Sequence, residues 1–314
     1  MGVYAQLSRD DLAAAIAGWG RGALVAAEPT PLGIENTNYF VVTEDTGGVA
    51  AHWVLTVMHK APSGVVLSLL DRLAAARLPV PAPIADLRGR TVGRIDGHPA
   101  LLTPRFPGQH PERPVAAQCR ALGEVLARMH RITEGLHGPA HPRDTAWLEA
   151  GQARHARRLD FHTQQALSTA ITALASAQRR SDWYRMPSGL AHGDLFRDNA
   201  LMTGNRVTGI IDFHHAAVAP LIFDLAVAAL DWCSDEQGRL NVRLCNALLE
   251  GYVSRRRLTQ AETWFWPLML VLAAVRFLIA RLDSPRKPPG EMAARLADRL
   301  ARPMYLHPTL AECM

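Results

Sequence analysis

The chain has 314 residues, 48% hydrophobic, 20% charged and 6% aromatic, with a formal net charge of +5. So much apolar content with so little net charge excludes a generally disordered chain and leaves residues enough for two lobes and a sizeable core. The basic excess is almost wholly arginine, Lys60 and Lys287 being the only lysines, and acidic residues are interspersed throughout, which argues against a nucleic-acid-binding surface.

Cys119, Cys233, Cys245 and Cys313 form no CxxC pair and no zinc spacing, so neither a disulfide framework nor a zinc module is expected. The start, Met1-Gly2-Val3-Tyr4-Ala5-Gln6, lacks the cationic-then-apolar order of a signal peptide, and Gln6 stands where a myristoylation motif wants Ser or Thr. The longest apolar stretch, Trp264 to Ala280, contains Pro267 and Arg276 and reads as a buried helix rather than a span. These features predict a cytoplasmic protein with no membrane attachment. A homo-oligomer is left open.

Ser8 is placed to cap a short helix starting near Asp10, with Gly18 and Gly20 at its end. Apolar and β-branched runs follow at Ala23–Val25, Asn38–Thr43 and His52–Val57, the last two joined through Gly47-Gly48 as a hairpin. Val65 to Ala76 has helical spacing, with Leu69, Leu70 and Leu73 on one face, and the prolines at 79, 81 and 83 stop it. Short strands are predicted near Thr91–Ile95 and Ala100–Thr103. Pro104, Pro107, Pro111 and Pro114 then punctuate a hinge, beyond which Val115–Arg131 and Asp144–Arg179 read as long helical patterns. The organisation is α+β: a small β-rich N-terminal lobe over residues 1–104 and a larger, mainly helical C-terminal lobe over 105–314.

The informative segment is His192-Gly193-Asp194-Leu195-Phe196-Arg197-Asp198-Asn199 and the run that follows it to Asp212-Phe213. Thr203-Gly204-Asn205 is a turn between two apolar runs, so 200–202 and 207–211 should form a hairpin. Asn199 enters this hairpin and Asp212 leaves it, with Asp194 on the loop just before. Two carboxylates and an amide oxygen thus converge, a set that suits a hard cation such as Mg²⁺ with one carboxylate free to handle a substrate proton.

His192-x-Asp194-x4-Asn199 followed by Asp212-Phe213 resembles the catalytic and metal-binding segments of the aminoglycoside-phosphotransferase-like kinases, whose fold is two-lobed and protein-kinase-like. Gly33-Ile34-Glu35-Asn36-Thr37-Asn38-Tyr39-Phe40, the full HGDLFRDN string and Ala273-Ala274-Val275-Arg276-Phe277-Leu278 resemble the type II homoserine kinases of threonine biosynthesis. The resemblance runs from residue 1 to about Leu282. It implies a nucleotide-binding N-terminal lobe and a C-terminal lobe for catalysis and substrate, with ATP and Mg²⁺ as cofactors and L-homoserine as acceptor. It implies that Asp194 is the catalytic carboxylate, that Asn199 and Asp212 hold Mg²⁺, and that His192 organises the loop. Gly33, Asn36 and Asn38 would lie on a loop that covers the nucleotide phosphates, the asparagines tolerating left-handed backbone there.

The sequence departs from the wider superfamily in one respect. The third strand offers Thr56 where a phosphate-binding lysine usually follows two apolar residues, and Asp71 is the only acid in the segment 64–76. Arg276, set in a strongly apolar helix, needs an anionic partner, which is either a structural carboxylate or the α-carboxylate of the substrate. His137 and His141 have metal-like spacing broken by Gly138 and Pro139. His214 and His215 would line the substrate cleft or fill space at a turn, and Trp264-Phe265-Trp266 reads as core. The alternatives to homoserine are an aminoglycoside or choline acceptor, and a nucleotide-binding protein without turnover.

Overall fold

A computed structural model describes residues 7–30, 36–235 and 239–284. The chain divides into two compact units, Met1–Pro107 with Gly209–Ile211 and Gly108–Thr208 with Asp212–Met314.

The first unit opens with α1 (Arg9–Trp19). Ser8 is extended and accepts from Asp11 N at 3.1 Å, while the Asp11 carboxylate accepts from Ser8 N at 3.1 Å. Such a reciprocal cap satisfies two otherwise orphaned donors and contributes about 1 kcal/mol. Gly20, with φ 61, supplies the left-handed residue that ends the helix. A five-stranded antiparallel sheet follows, built from β1 (Ala23–Thr30), β2 (Thr37–Glu44), β3 (Ala50–Val57), β4 (Gly93–Ile95) and β5 (His98–Pro104) in the order β1-β2-β3-β5-β4. Between β3 and β4 runs α2 (Gly64–Ala75), with Val66, Leu69, Leu70 and Leu73 buried. Period-two alternation turns Tyr39 and Val41 of β2 and Leu55 and Val57 of β3 inward against Leu12, Ile16 and Trp19 of α1.

Two details differ from the sequence reading. β1 continues past Val25 to Thr30, where small residues and Pro29 show no alternation; as an edge strand it is held by pairing with β2 alone. Asn38 belongs to β2, where it pairs with Thr56, and is not on a loop.

The second unit contains α3 (Ala116–Thr133), α4 (Thr145–His155), α5 (Phe161–Ala177), β6 (Ser188–Ala191), β7 (Ala200–Thr203), β8 (Arg206–Ile210), β9 (Ala217–Pro220), α6 (Ile222–Trp232), α7 (Val242–Val253) and α8 (Gln260–Asp283). The expected long helical pattern over 144–179 is broken in two. A short 3-10 turn at Ala156–Arg158 and extended Leu159 intervene, and Asp160 starts α5 afresh by accepting from Thr163 N at 2.9 Å. The periodicity carries across the break, but the capping side chain resets the helix. α6 is buried almost all round and forms the centre of the unit. α3 and α7 approach until their backbones touch: a Cβ on Gly123 would run into the carbonyl of Leu248, and one on Gly251 into that of Arg120. α8 is long and apolar enough to cross a membrane, yet most of it is buried within the fold, as its sequence predicts. Phe265 and Trp266 are core, whereas Trp264 is exposed and is not.

Candidate active site

β6 delivers the chain to His192, and the loop that follows is pinned from below by Asp224 at the first turn of α6. This carboxylate is wholly buried. Its Oδ2 accepts from His192 N at 2.6 Å and its Oδ1 from Gly193 N at 2.7 Å. His130 of α3 meets Oδ2 through Nε2 at 3.2 Å and meets the Tyr252 hydroxyl of α7 through Nδ1 at 2.7 Å. Arg256 donates to that hydroxyl at 3.1 Å and to Glu262 of α8 at 2.9 Å, with Glu134 at 3.4 Å. One proton order, from Arg256 to Tyr252 to His130 to Asp224, satisfies the whole chain. Burial alone would push the Asp224 carboxyl up; the hydrogen bonds from His130 and the Gly193 N–H help to outweigh it and hold the carboxyl below its usual range. Asp224 therefore braces the loop.

Above this support, Gly193 takes φ 80, and a Cβ there would sit 3.0 Å from the carbonyl oxygen of His215. The turn brings Asp194 round so that its N–H donates to Nδ1 of His192 at 3.3 Å. Asn199 closes the loop, its Nδ2 donating to the Asp194 carbonyl at 2.7 Å and to Oδ2 of Asp194 at 3.2 Å. Arg197 ties the far side to α6, with Asp231 Oδ2 accepting from its N at 2.8 Å and its Nε at 3.0 Å. Burial raises the Asp194 carboxyl to about 6; Arg143 pulls it down and Asp198 adds to the rise.

Asp212 leaves the β7–β8 hairpin in the left-handed region, φ 69 and ψ 60, a conformation aspartate tolerates better than most residues. Its carboxylate bonds the His214 ring. Phe213 lies on His192 with ring centroids 4.6 Å apart, so the 212–215 segment sits against the 192–194 loop. Asn199 commits its nitrogen to the loop, which leaves its carboxamide oxygen as one hard donor, and the half-exposed Asp212 carboxylate is another. No cluster of three or more His, Cys, Asp or Glu suited to a metal exists among the described residues. Two oxygen donors of this kind fit a cation that keeps waters or phosphate oxygens as its other ligands, rather than an all-protein cage.

On the other side of the loop, Phe196 packs on Phe277 of α8 at 4.1 Å. The neighbouring Arg276 is 8% exposed and lies with Cζ 4.5 Å from the Phe223 ring centroid. Its Nε and Nη1 are buried and have no hydrogen-bond partner. Among the described residues no structural carboxylate forms an ion pair with Arg276. Burial first, then the charge of Arg143, lowers the Arg276 guanidinium to about 9, with Asp144 opposing, and it stays cationic at neutral pH. His141 packs edge-on against the same Phe223 ring at 5.8 Å. Burial, then Arg276 and Arg143, lower its imidazole to about 3. His214 stacks on His215 at 3.9 Å.

The first unit treats the nucleotide-loop residues differently from the sequence reading. Gly33 lies outside the described residues, and Asn36 directly precedes β2. Asn38 is not in left-handed backbone: as part of β2 it is extended, and its Oδ1 accepts from Thr56 Oγ1 at 2.7 Å. The β-propensity of the run Asn38–Thr43 claims the residue for the strand. Sequence reasoning missed Arg143 and the Arg197–Asp231 tie. Nothing marks Arg143 among so many arginines, and Arg197 and Asp231 meet only through the fold.

Residues 26–258 match the phosphotransferase enzyme family. A homoserine kinase of Pseudomonas aeruginosa is 35% identical over 315 residues, covering 95% of this chain and 96% of its own. A homoserine kinase of Methylobacillus flagellatus is 34% identical over 287 residues, covering 90% and 87%. Among solved structures, a spectinomycin phosphotransferase bound to AMP superposes with a TM-score of 0.68 at 13% identity, covering 95% of this chain and 100% of its own. An amicoumacin kinase in complex with AMP-PNP and Ca²⁺ gives 0.65 at 18% identity, covering 93% of each chain.

Proposed function

Since the chain belongs to the phosphotransferase enzyme family and, within it, to the homoserine kinases, we propose that it transfers the γ-phosphoryl group of ATP to the side-chain hydroxyl of L-homoserine. It is an ATP-dependent phosphotransferase with an alcohol as acceptor, acting in the cytoplasm in threonine biosynthesis.

Asp194 orients the hydroxyl of homoserine and accepts its proton at a carboxylate oxygen. The hydroxyl oxygen forms the new bond to the γ-phosphorus as the bond to the β-phosphate oxygen breaks and ADP leaves. A buried carboxyl raised to about 6 suits this task, because it is ionised at neutral pH yet basic enough to hold the arriving proton. Asn199 and Asp212 would hold Mg²⁺, which when bound would neutralise charge on the nucleotide phosphates. Asn199 also fixes the Asp194 carboxylate directly, through the bond to Oδ2. His192 sets the loop by accepting from Asp194 N, while Asp224 secures the two preceding backbone N–H groups. Gly33 and Asn36 contribute to nucleotide binding. Asn38 supports that region from within β2.

The observation that supports homoserine over a purely cationic acceptor is the buried Arg276 guanidinium, whose Nε and Nη1 have no partner among the described residues. A buried cation without an anion is costly, and the α-carboxylate of the acceptor completes it. ATP turnover against a panel of L-homoserine, choline and an aminoglycoside tests the assignment. Homoserine is expected to be phosphorylated far better than either, and equal or better turnover of choline or the aminoglycoside refutes it. In the same assay Asp194→Asn is expected to lower kcat by about 10²- to 10⁴-fold with nucleotide binding retained.

A further inference from the structure

α6 meets the catalytic loop with two carboxylates. Asp224, in its first turn, takes the N–H groups of His192 and Gly193, where the loop begins. Asp231 follows two turns later, about 10 Å along the axis and on nearly the same face. It receives three donors from Arg197, where the loop ends: the backbone N–H at 2.8 Å and Nε at 3.0 Å on Oδ2, and Nη2 at 3.3 Å on Oδ1. The remaining arm of the guanidinium, Nη1, donates to the Glu112 carbonyl at 2.5 Å.

Stability does not account for this second anchor. The Arg197 side chain is 36% exposed and that of Asp231 19%, and an ion pair so open to water contributes little to folding. Asp231 also stands in the last turn of α6, where the helix dipole disfavours a negative charge and no basic residue of that turn offsets it. What the pair does fix is register. Arg197 opens the 3-10 turn that Asn199 closes. Phe196 N donates to the Asp194 carbonyl at 2.8 Å and Asn199 N to the Phe196 carbonyl at 3.0 Å, while Asn199 Nδ2 reaches back to Asp194 Oδ2. A loop held at its entrance alone can pivot about Gly193, whose φ of 80 lies where glycine moves freely. Held at both ends, it cannot.

We propose that Asp231, acting through Arg197, is a positioning residue for phosphoryl transfer: it sets the place of Asn199 and thereby the aim of the Asp194 carboxylate. The assignment rests on the roles given to Asp194 and Asn199 above and adds a pair that acts at one remove from them. The geometry also orders the effects. Loss of the Asp231 carboxylate frees both the backbone and the side chain of Arg197, whereas loss of the guanidinium leaves the backbone bond in place.

The test follows kcat, KM and the binding of Mn²⁺ in the presence of ADP, read by electron paramagnetic resonance, on the full-length protein. Asp231→Leu is expected to lower kcat about 10- to 100-fold while KM for homoserine stays within about threefold of the parent. Mn²⁺ affinity should fall about 10-fold with it, because Asn199 is displaced. The melting temperature should drop by no more than about 4 °C, as suits an exposed pair. Arg197→Leu should fall between this variant and the parent, and Asp231→Asn, which keeps an oxygen for the Arg197 N–H, should recover most of the loss. Parent-like kcat and Mn²⁺ affinity in Asp231→Leu overturn the proposal, as does a kcat that falls only with the folded fraction. A greater loss in Arg197→Leu than in Asp231→Leu overturns it too, since the guanidinium would then be acting on a ligand. If the parent neither phosphorylates homoserine nor binds Mn²⁺ with ADP, the functional reading is what fails. Hydrogen exchange then judges the anchor by itself: the Phe196 and Asn199 amides should exchange at least about 10-fold faster in Asp231→Leu, and unchanged rates overturn it.

Discussion

Arg256 and Arg276 are equally buried, each 8% exposed, and both belong to the structure around α8, but their surroundings are opposite. Arg256 closes a network in which Glu262, Tyr252 and Glu134 all receive its donors, and that network ends on the backbone of the catalytic loop. Arg276 stands over an aromatic ring with two nitrogens unsatisfied among the described residues. The same residue type, buried to the same depth, is thus used once to make the protein rigid and once to make it incomplete. The carboxylates follow suit: Asp224 in the braced region is held below its usual range, and Asp194 in the unpaired region is raised to about 6. A folded protein that leaves charge unpaired in one place and pairs it fully a few residues away is separating support from recognition.

The comparison breaks most visibly through stability. Arg256→Ala should cost about 3–5 kcal/mol, because Glu262 is left buried and unpaired. A denaturant titration that finds the variant as stable as the parent would remove the structural half of the contrast. Arg276→Leu is expected to do the reverse. It discards an unpaired buried cation, so stability should hold within about 1 kcal/mol or improve. KM for homoserine should rise about 10- to 100-fold with KM for ATP unchanged. A large loss of thermal stability with an unchanged KM would show that Arg276 is a tie between helices. The smallest effect is on pH. The folded carboxyl of Asp194 lies above its ordinary value, so its charged form is lost as pH falls through about 6. Below that point kcat/KM should drop about tenfold per unit. Asp224 stays ionised over the same range, so circular dichroism should report an intact fold while activity disappears. Loss of fold and activity together would contradict the separation of the two regions.

Much of this was legible in the sequence because the signals are local. The capping box at Ser8, the β2–β3 hairpin around Gly47-Gly48 and the β7–β8 hairpin with Asn199 and Asp212 at its open end all follow from residues close in the chain. The brace that Asp224 gives the catalytic loop was not legible, since its partners His130, His192 and Gly193 are distant in sequence. The break before Asp160 was hidden because hydrophobic periodicity continues through it. Asn38 was misplaced because strand propensity and loop chemistry compete at the same residue, and the strand prevails. His141 was illegible for a different reason: its neighbours Phe223 and Gly193 are brought near only by the fold.

The close approach of α3 to α7 carries a consequence for where this enzyme is vulnerable. His130 and Tyr252 hold hands across these two helices, and the helices touch because neither Gly123 nor Gly251 has a side chain. The position of the catalytic loop is therefore calibrated by the thickness of a helix contact remote from any substrate atom. A single methyl group there would act as a shim, lifting the whole support chain by a fraction of an ångström and spoiling the aim of a carboxylate it never meets. Tolerance to change in this protein is set by the backbone spacing of a helix pair as much as by distance from the chemistry.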